Sequence, residues 1–88
     1  MQDDFFRYQT QTTPHPLAVE VSHAKGSYIY DKEGNSHLDF VAGVSVCSLG
    51  HCHPKVVEAV VRQSGRYMHV MVYGEFIQEP SVELTKYL

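Results

Sequence analysis

The sequence predicts a small α+β fold: an N-terminal arm over residues 1–17, a small antiparallel sheet with a hairpin at about 28–40, and an amphipathic helix at about 54–67. Three observations predict it. Apolar residues alternate on both sides of a KEGN turn, a valine stripe recurs at helical spacing after Pro54, and the first residues mix aromatics with a polar, proline-containing run.

The arm, MQDDFFRYQTQTTPHPL, carries Phe5, Phe6 and Tyr8, then QTQTT and two prolines one residue apart, a pattern without the periodicity of a core element. It either lays its aromatics on a neighbouring subunit or forms a short helix that caps its own domain. In SYIYD, Tyr28 and Tyr30 share one face and Ile29 takes the other; in SHLDF, Leu38 and Phe40 share a face on the return strand. Gly34 supplies a left-handed turn residue, so a loop of several residues with a bulge is expected rather than a two-residue turn. Two strands alone are marginal, and VEVSH at 19–23 is the expected third.

Residues 41–50, VAGVSVCSLG, are small and apolar with glycines at 43 and 50, which suits backbone running close to another chain, to a ligand, or through one core as a buried connector. Pro54 then opens the helix, losing no hydrogen bond because a first-turn amide has no intrahelical acceptor. Val56, Val57, Val60, Val61, Ser64 and Tyr67 recur on one face of it. Four valines at roughly 1.5–3 kcal/mol each would contribute about 6–12 kcal/mol if fully buried. Gly65 marks either the end of this helix or a weak point in its last turn. Residues 68–79 read as an apolar connector or short strand, and Pro80 as a second helix start. The closing EPSVELTKYL stops before its helix can complete a third turn, so the chain is expected to be a portion of a longer protein.

Composition bounds the function. Eighty-eight residues allow one small domain that buries only about 60–65 % of its unfolded surface, which leaves little room for an independent active site. A net charge of −3, from ten acidic and seven basic residues with no basic run, argues against nucleic acid as a partner. The N-terminus lacks the basic and apolar regions of a secretory signal, and the longest apolar stretch is far short of a membrane span. A cytoplasmic chain with no membrane partner is the expectation.

The conspicuous motif is LGHCHP at 49–54. Cys47, His51, Cys52 and His53 offer up to four metal ligands in seven residues, but tetrahedral sites draw ligand pairs from separated elements and no second pair follows. A cysteine–histidine nucleophile at Cys52 is permitted by its place before a helix, although the sequence fixes no partner histidine. The histidines are therefore read as a polar turn and cap, and Asp31, Glu33 and Asp39 as solvated turn acids. No metal site and no catalytic residue is assigned. The glycines at 26, 34, 43, 50, 65 and 74 form no phosphate-binding loop.

In order and spacing, HPL at 15–17, the G-x-x-x-x-D-x-x-G of 26–34, LDF at 38–40 and LGHCHP at 49–54 resemble the N-terminal region of class III aminotransferases, the pyridoxal-phosphate enzymes of the acetylornithine, ornithine and 4-aminobutyrate type. The resemblance covers residues 14–88. It implies that residues 18–88 are the N-terminal part of the small domain of a fold-type-I enzyme, whose partners are the remainder of the same enzyme, a second subunit in a homodimer, and small amino acid and 2-oxo acid substrates. It also implies that Gly43 and Val44 lie against the substrate. The ornithine enzymes carry a tyrosine at the position matching Val44, and valine offers no hydroxyl there. The chemistry the resemblance implies needs a lysine amine, an acid at the pyridine nitrogen and phosphate donors. None of Lys25, Lys32, Lys55 and Lys86 matches the family's cofactor lysine, so the parent holds pyridoxal 5'-phosphate while this chain alone binds no cofactor and is inactive. A different class of function, an independent interaction module that uses the valine face, is the alternative.

Overall fold

A computed structural model describes residues 1–88. The chain divides into two compact units, Met1–Val57 and Glu58–Leu88, each described by itself. The α+β class is observed, with a three-stranded antiparallel sheet in the order β1-β2-β3.

The first unit opens with α1 (Gln2–Tyr8), so the arm begins as a short helix. Asp3 and Asp4 sit in its first turn and Arg7 in its last, the charge order that complements the helix dipole. Gln2 donates its side-chain amide to the Ala18 carbonyl at 3.3 Å. β1 is Val21–Lys25, two residues later than VEVSH, because its ladder runs on to a Lys25–Tyr28 pair across a two-residue Gly26–Ser27 turn with Gly26 at φ 59°. The register slips between Val21 and His23, leaving Ser22 as a bulge.

β2 (Tyr28–Asp31) pairs Tyr28 with Leu38, Ile29 with His37 and Tyr30 with Ser36 on β3 (Ser36–Leu38). The loop between them is the bulged form expected from its glycine. Gly34, at φ 89°, donates its amide to the Asp31 carbonyl, and the Asp31 amide donates to Asn35. The Asp31 carboxylate accepts from the Glu33 and Asn35 amides at 3.0 and 2.9 Å, and from His37 Nε2 at 2.9 Å. These bonds, with His37 contributing most, lower its pKa to about 2. Tyr30 stacks on His23 with ring centroids 4.5 Å apart.

The hairpin closes earlier than 40. β3 ends at Leu38 because the Asp39 carboxylate turns to cap the segment that follows, and Phe40 lies outside the strand and exposed. The helix predicted at 54–67 is α3 (Pro54–Ser64), three residues shorter. Gly65 ends it: the amides of Arg66 and Tyr67 both turn back to the Gln63 carbonyl, and Ser64 Oγ donates to the Val61 carbonyl. In the second unit, residues 68–78 form no strand, and α4 (Glu79–Tyr87) begins with Pro80 in its first turn as expected. Arg66 and Glu79 pair at 3.3 Å.

Neither unit has a buried residue. Val56, Val57, Val60 and Val61 are 44–65 % exposed, so the burial their spacing predicts is not supplied within these 88 residues. No helix is long and apolar enough to cross a membrane.

Candidate functional site

The segment that follows Asp39 holds the most unusual backbone of the chain. Val41 is right-handed, then Ala42, Gly43, Val44 and Ser45 all take left-handed φ values of 52, 61, 63 and 64°, and Val46 returns to the right-handed region. This turn is α2 (Ala42–Ser45). Three of its four residues carry a Cβ, so the left-handed penalty is on the order of 3–6 kcal/mol. Such backbone persists only where neighbouring groups over-determine it.

Hydrogen bonds from within the turn and from Asp39 beside it do so. Within the turn, the amides of Ser45 and Val46 donate to the carbonyls of Val41 and Ala42 at 3.0 and 2.7 Å, and the Cys47 amide adds a second bond to Ala42 at 2.9 Å. At its entrance, Asp39 Oδ1 accepts from the amides of Val41 and Ala42, both at 3.0 Å. Asp39 Oδ2 accepts from His51 Nε2 at 2.6 Å. The Ala42 amide and then the His51 ring lower the Asp39 pKa, outweighing the effect of desolvation. An ionised carboxylate only accepts, so the proton between the pair belongs to His51 Nε2.

His51 is fixed in turn. Its amide donates to the Gly26 carbonyl at 2.8 Å and its carbonyl accepts from the Gly26 amide at 3.0 Å. Gly50, at φ 85°, makes that approach possible, since a Cβ there would meet Gly26 Cα at 3.2 Å and its oxygen at 3.3 Å. The Asp39 amide also donates to Ser27 at 2.8 Å. The turn between β1 and β2, the LGHCHP loop and the left-handed turn are thereby joined through one carboxylate and one imidazole.

The expected site residues fall at the far end of this arrangement. Gly43 and Val44 both lie in the left-handed turn, and Val44 is 82 % exposed. A Cβ at Gly43 would make only ordinary contact with Val46 and Cys47, so glycine is favoured there by φ rather than by space. Asp39 is not the solvated turn acid it was expected to be: its side chain is 8 % exposed and that of His51 19 %. Sequence reasoning missed this pair. The available signal was an aspartate placed to accept from the next two turn amides, together with a glycine beside His51.

The other members of LGHCHP have separate positions. His53 Nδ1 accepts from the Lys55 amide at 3.2 Å, which makes it the N-terminal cap of α3. Cys52 is exposed with φ 53°, and Cys47 and Cys52 are both free thiols. No group of three or more histidine, cysteine, aspartate or glutamate side chains stands close enough to share a metal ion. The lysines are dispersed: Lys25 ends β1, Lys32 lies in the hairpin loop with Nζ 3.5 Å from Met1 Sδ, Lys55 is in the first turn of α3, and Lys86 pairs with Glu83 at 2.6 Å.

The first unit is thus a three-stranded α+β structure that presents a strained, exposed turn beside an Asp–His pair. The family model for aminotransferase class-III matches residues 8–88, and the chain belongs to that family. The match begins seven residues before the HPL motif. The chain is 54 % identical over 52 residues to the acetylornithine aminotransferase of Halalkalibacterium halodurans, covering 59 % of this chain and 14 % of that protein. Among solved structures, the ornithine aminotransferase of Toxoplasma gondii, described with partial occupancy of PLP at its active site, matches 99 % of this chain and 21 % of its own at 34 % identity, with a TM-score of 0.73. N-acetylornithine aminotransferase from Stenotrophomonas maltophilia matches with the same coverage at 28 % identity and a TM-score of 0.78. The chain thus spans about a sixth of the length of the curated relatives it matches, 14–18 %.

Proposed function

We propose that these residues are the N-terminal part of a pyridoxal-phosphate-dependent aminotransferase that moves an amino group from an amino acid or ω-amine donor to a 2-oxo acid. Within that enzyme, residues 1–17 serve as an arm and residues 18–88 as part of the small domain, lining the substrate pocket and meeting a second subunit of a cytoplasmic homodimer. The remainder of the polypeptide holds the cofactor, which when bound supplies the electron sink for the exchange. The observation that carries the reading is the left-handed turn: Gly43 and Val44 occupy strained backbone at an exposed edge, where strain is characteristic of ligand-facing segments. The exposed valine face of α3 is the surface that the rest of the parent covers.

Gly43 and Val44 act by shape. Valine presents an apolar wall without a donor or acceptor, so the far end of the donor meets no hydroxyl from residue 44. The complete polypeptide containing this chain is expected to show the near-ultraviolet and visible absorption of bound pyridoxal phosphate and to transaminate N-acetylornithine or ornithine with 2-oxoglutarate. Val44→Tyr is expected to shift kcat/KM toward ornithine relative to N-acetylornithine by about tenfold, the scale of one new polar contact. A complete, folded polypeptide that neither binds the cofactor nor transaminates either donor overturns the reading.

A further inference from the structure

We propose that Asp39 and His51 are positioning residues that hold the Ala42–Ser45 turn in its left-handed form and so set the binding of the amino donor. The proposal rests on the reading that Gly43 and Val44 face the substrate.

Ala42, Val44 and Ser45 have no intrinsic preference for left-handed backbone, and the internal bonds of one turn do not distinguish it from an ordinary right-handed turn. The distinguishing contacts come from Asp39, whose Oδ1 takes the amides of Val41 and Ala42 at the point where handedness changes. A free carboxylate on a short side chain could rotate away. His51 prevents this by donating to Oδ2 at 2.6 Å, and the Gly26–His51 backbone pair anchors the imidazole to the sheet. The chain of contacts runs from the β1–β2 turn through His51 and Asp39 to the backbone of Val41 and Ala42, and touches neither the Gly43 nor the Val44 side of the turn.

Loss of this tether lets the turn relax, and donor binding pays for reordering it. Removing a contact that supports ground state and transition state alike raises KM and leaves kcat in place. His51→Ala removes the imidazole; His51→Gln retains an amide N–H able to reach the Asp39 carboxylate. In the complete, cofactor-loaded polypeptide with N-acetylornithine as donor and saturating 2-oxoglutarate, His51→Ala is expected to raise donor KM about tenfold with kcat within about twofold, the loss expected of one charge-assisted hydrogen bond. His51→Gln is expected to recover most of that change. Val44→Tyr, measured alongside, separates the two levels. A shifted donor preference in Val44→Tyr with an unchanged KM in His51→Ala overturns the positioning role and leaves the pocket wall standing. Unchanged donor kinetics in folded Val44→Tyr overturns the pocket wall, and the positioning role with it. A fall in kcat that His51→Gln does not recover also overturns the proposal. If His51→Ala yields no folded protein, Asp39→Asn decides: it keeps an oxygen for the two amides but loses the carboxylate facing His51, and an unchanged donor KM in it counts against the proposal.

Discussion

The polar clasp around Asp39 and the valine face of α3 meet opposite fates in the same chain. The clasp is complete within residues 26–51: each donor and acceptor that shapes it is local to the first unit. The valine face is laid out with equal regularity, yet all four of its valines remain exposed. Hydrogen bonds are satisfied pair by pair, so a short stretch can finish them. Apolar burial needs area from outside the helix, and these 88 residues do not supply it. Position along the chain does not decide which contacts a segment can complete alone; whether a single partner or a whole area is needed does.

The largest effect should come from breaking the apolar side. Val57→Lys with Val60→Lys in the complete polypeptide is expected to abolish soluble, folded enzyme, because two charges would be pressed into a face worth about 1.5–3 kcal/mol per valine. The same pair in the 88-residue polypeptide is expected to reduce self-association, read by sedimentation velocity. Solubility of the double variant in the complete polypeptide would show that the face is open there as well.

Two glycines sharpen the polar side. Gly50→Ala imposes a left-handed penalty and drives a Cβ to 3.2 Å from Gly26, so it is expected to destabilise the complete polypeptide by about 3 kcal/mol in denaturant unfolding. Gly34→Ala carries a similar φ of 89° but meets nothing within 4 Å, and is expected to cost only about 1–2 kcal/mol. Equal losses would mean that the Gly26–Gly50 approach contributes nothing beyond backbone conformation.

The smallest expected effect has the opposite sign. Ser45→Gly relieves one left-handed residue of the turn and loosens the unfolded chain, and should stabilise by about 0.5–1 kcal/mol net. A destabilised Ser45→Gly would show that the Ser45 side chain makes a contact in the complete enzyme that offsets its strain.

Much of the fold was legible because its signals are local. The alternation in SYIYD and SHLDF with Gly34 between them identified the hairpin, and Pro54, the valine stripe and Gly65 framed α3. The first turn of the sheet was less visible, since Gly26–Ser27 lies inside AKGSY without flanking alternation, and the third strand was placed two residues early for that reason. The motif LGHCHP could be read as a turn into a helix, which it is. Its actual division of labour, with His53 capping α3 and His51 held by Asp39, was not legible, because residues 39 and 51 meet only after the intervening loop has chosen its path.

By itself the sequence determined the conformations whose causes lie within a few residues: the bulged hairpin loop, the proline entry and glycine exit of α3, and the placement of four valines on one face. Tertiary structure alone decided the left-handed course of Ala42, Val44 and Ser45. None of these residues favours that backbone, and it exists because a carboxylate three positions before Ala42 is held in place by an imidazole that the sheet has already fixed.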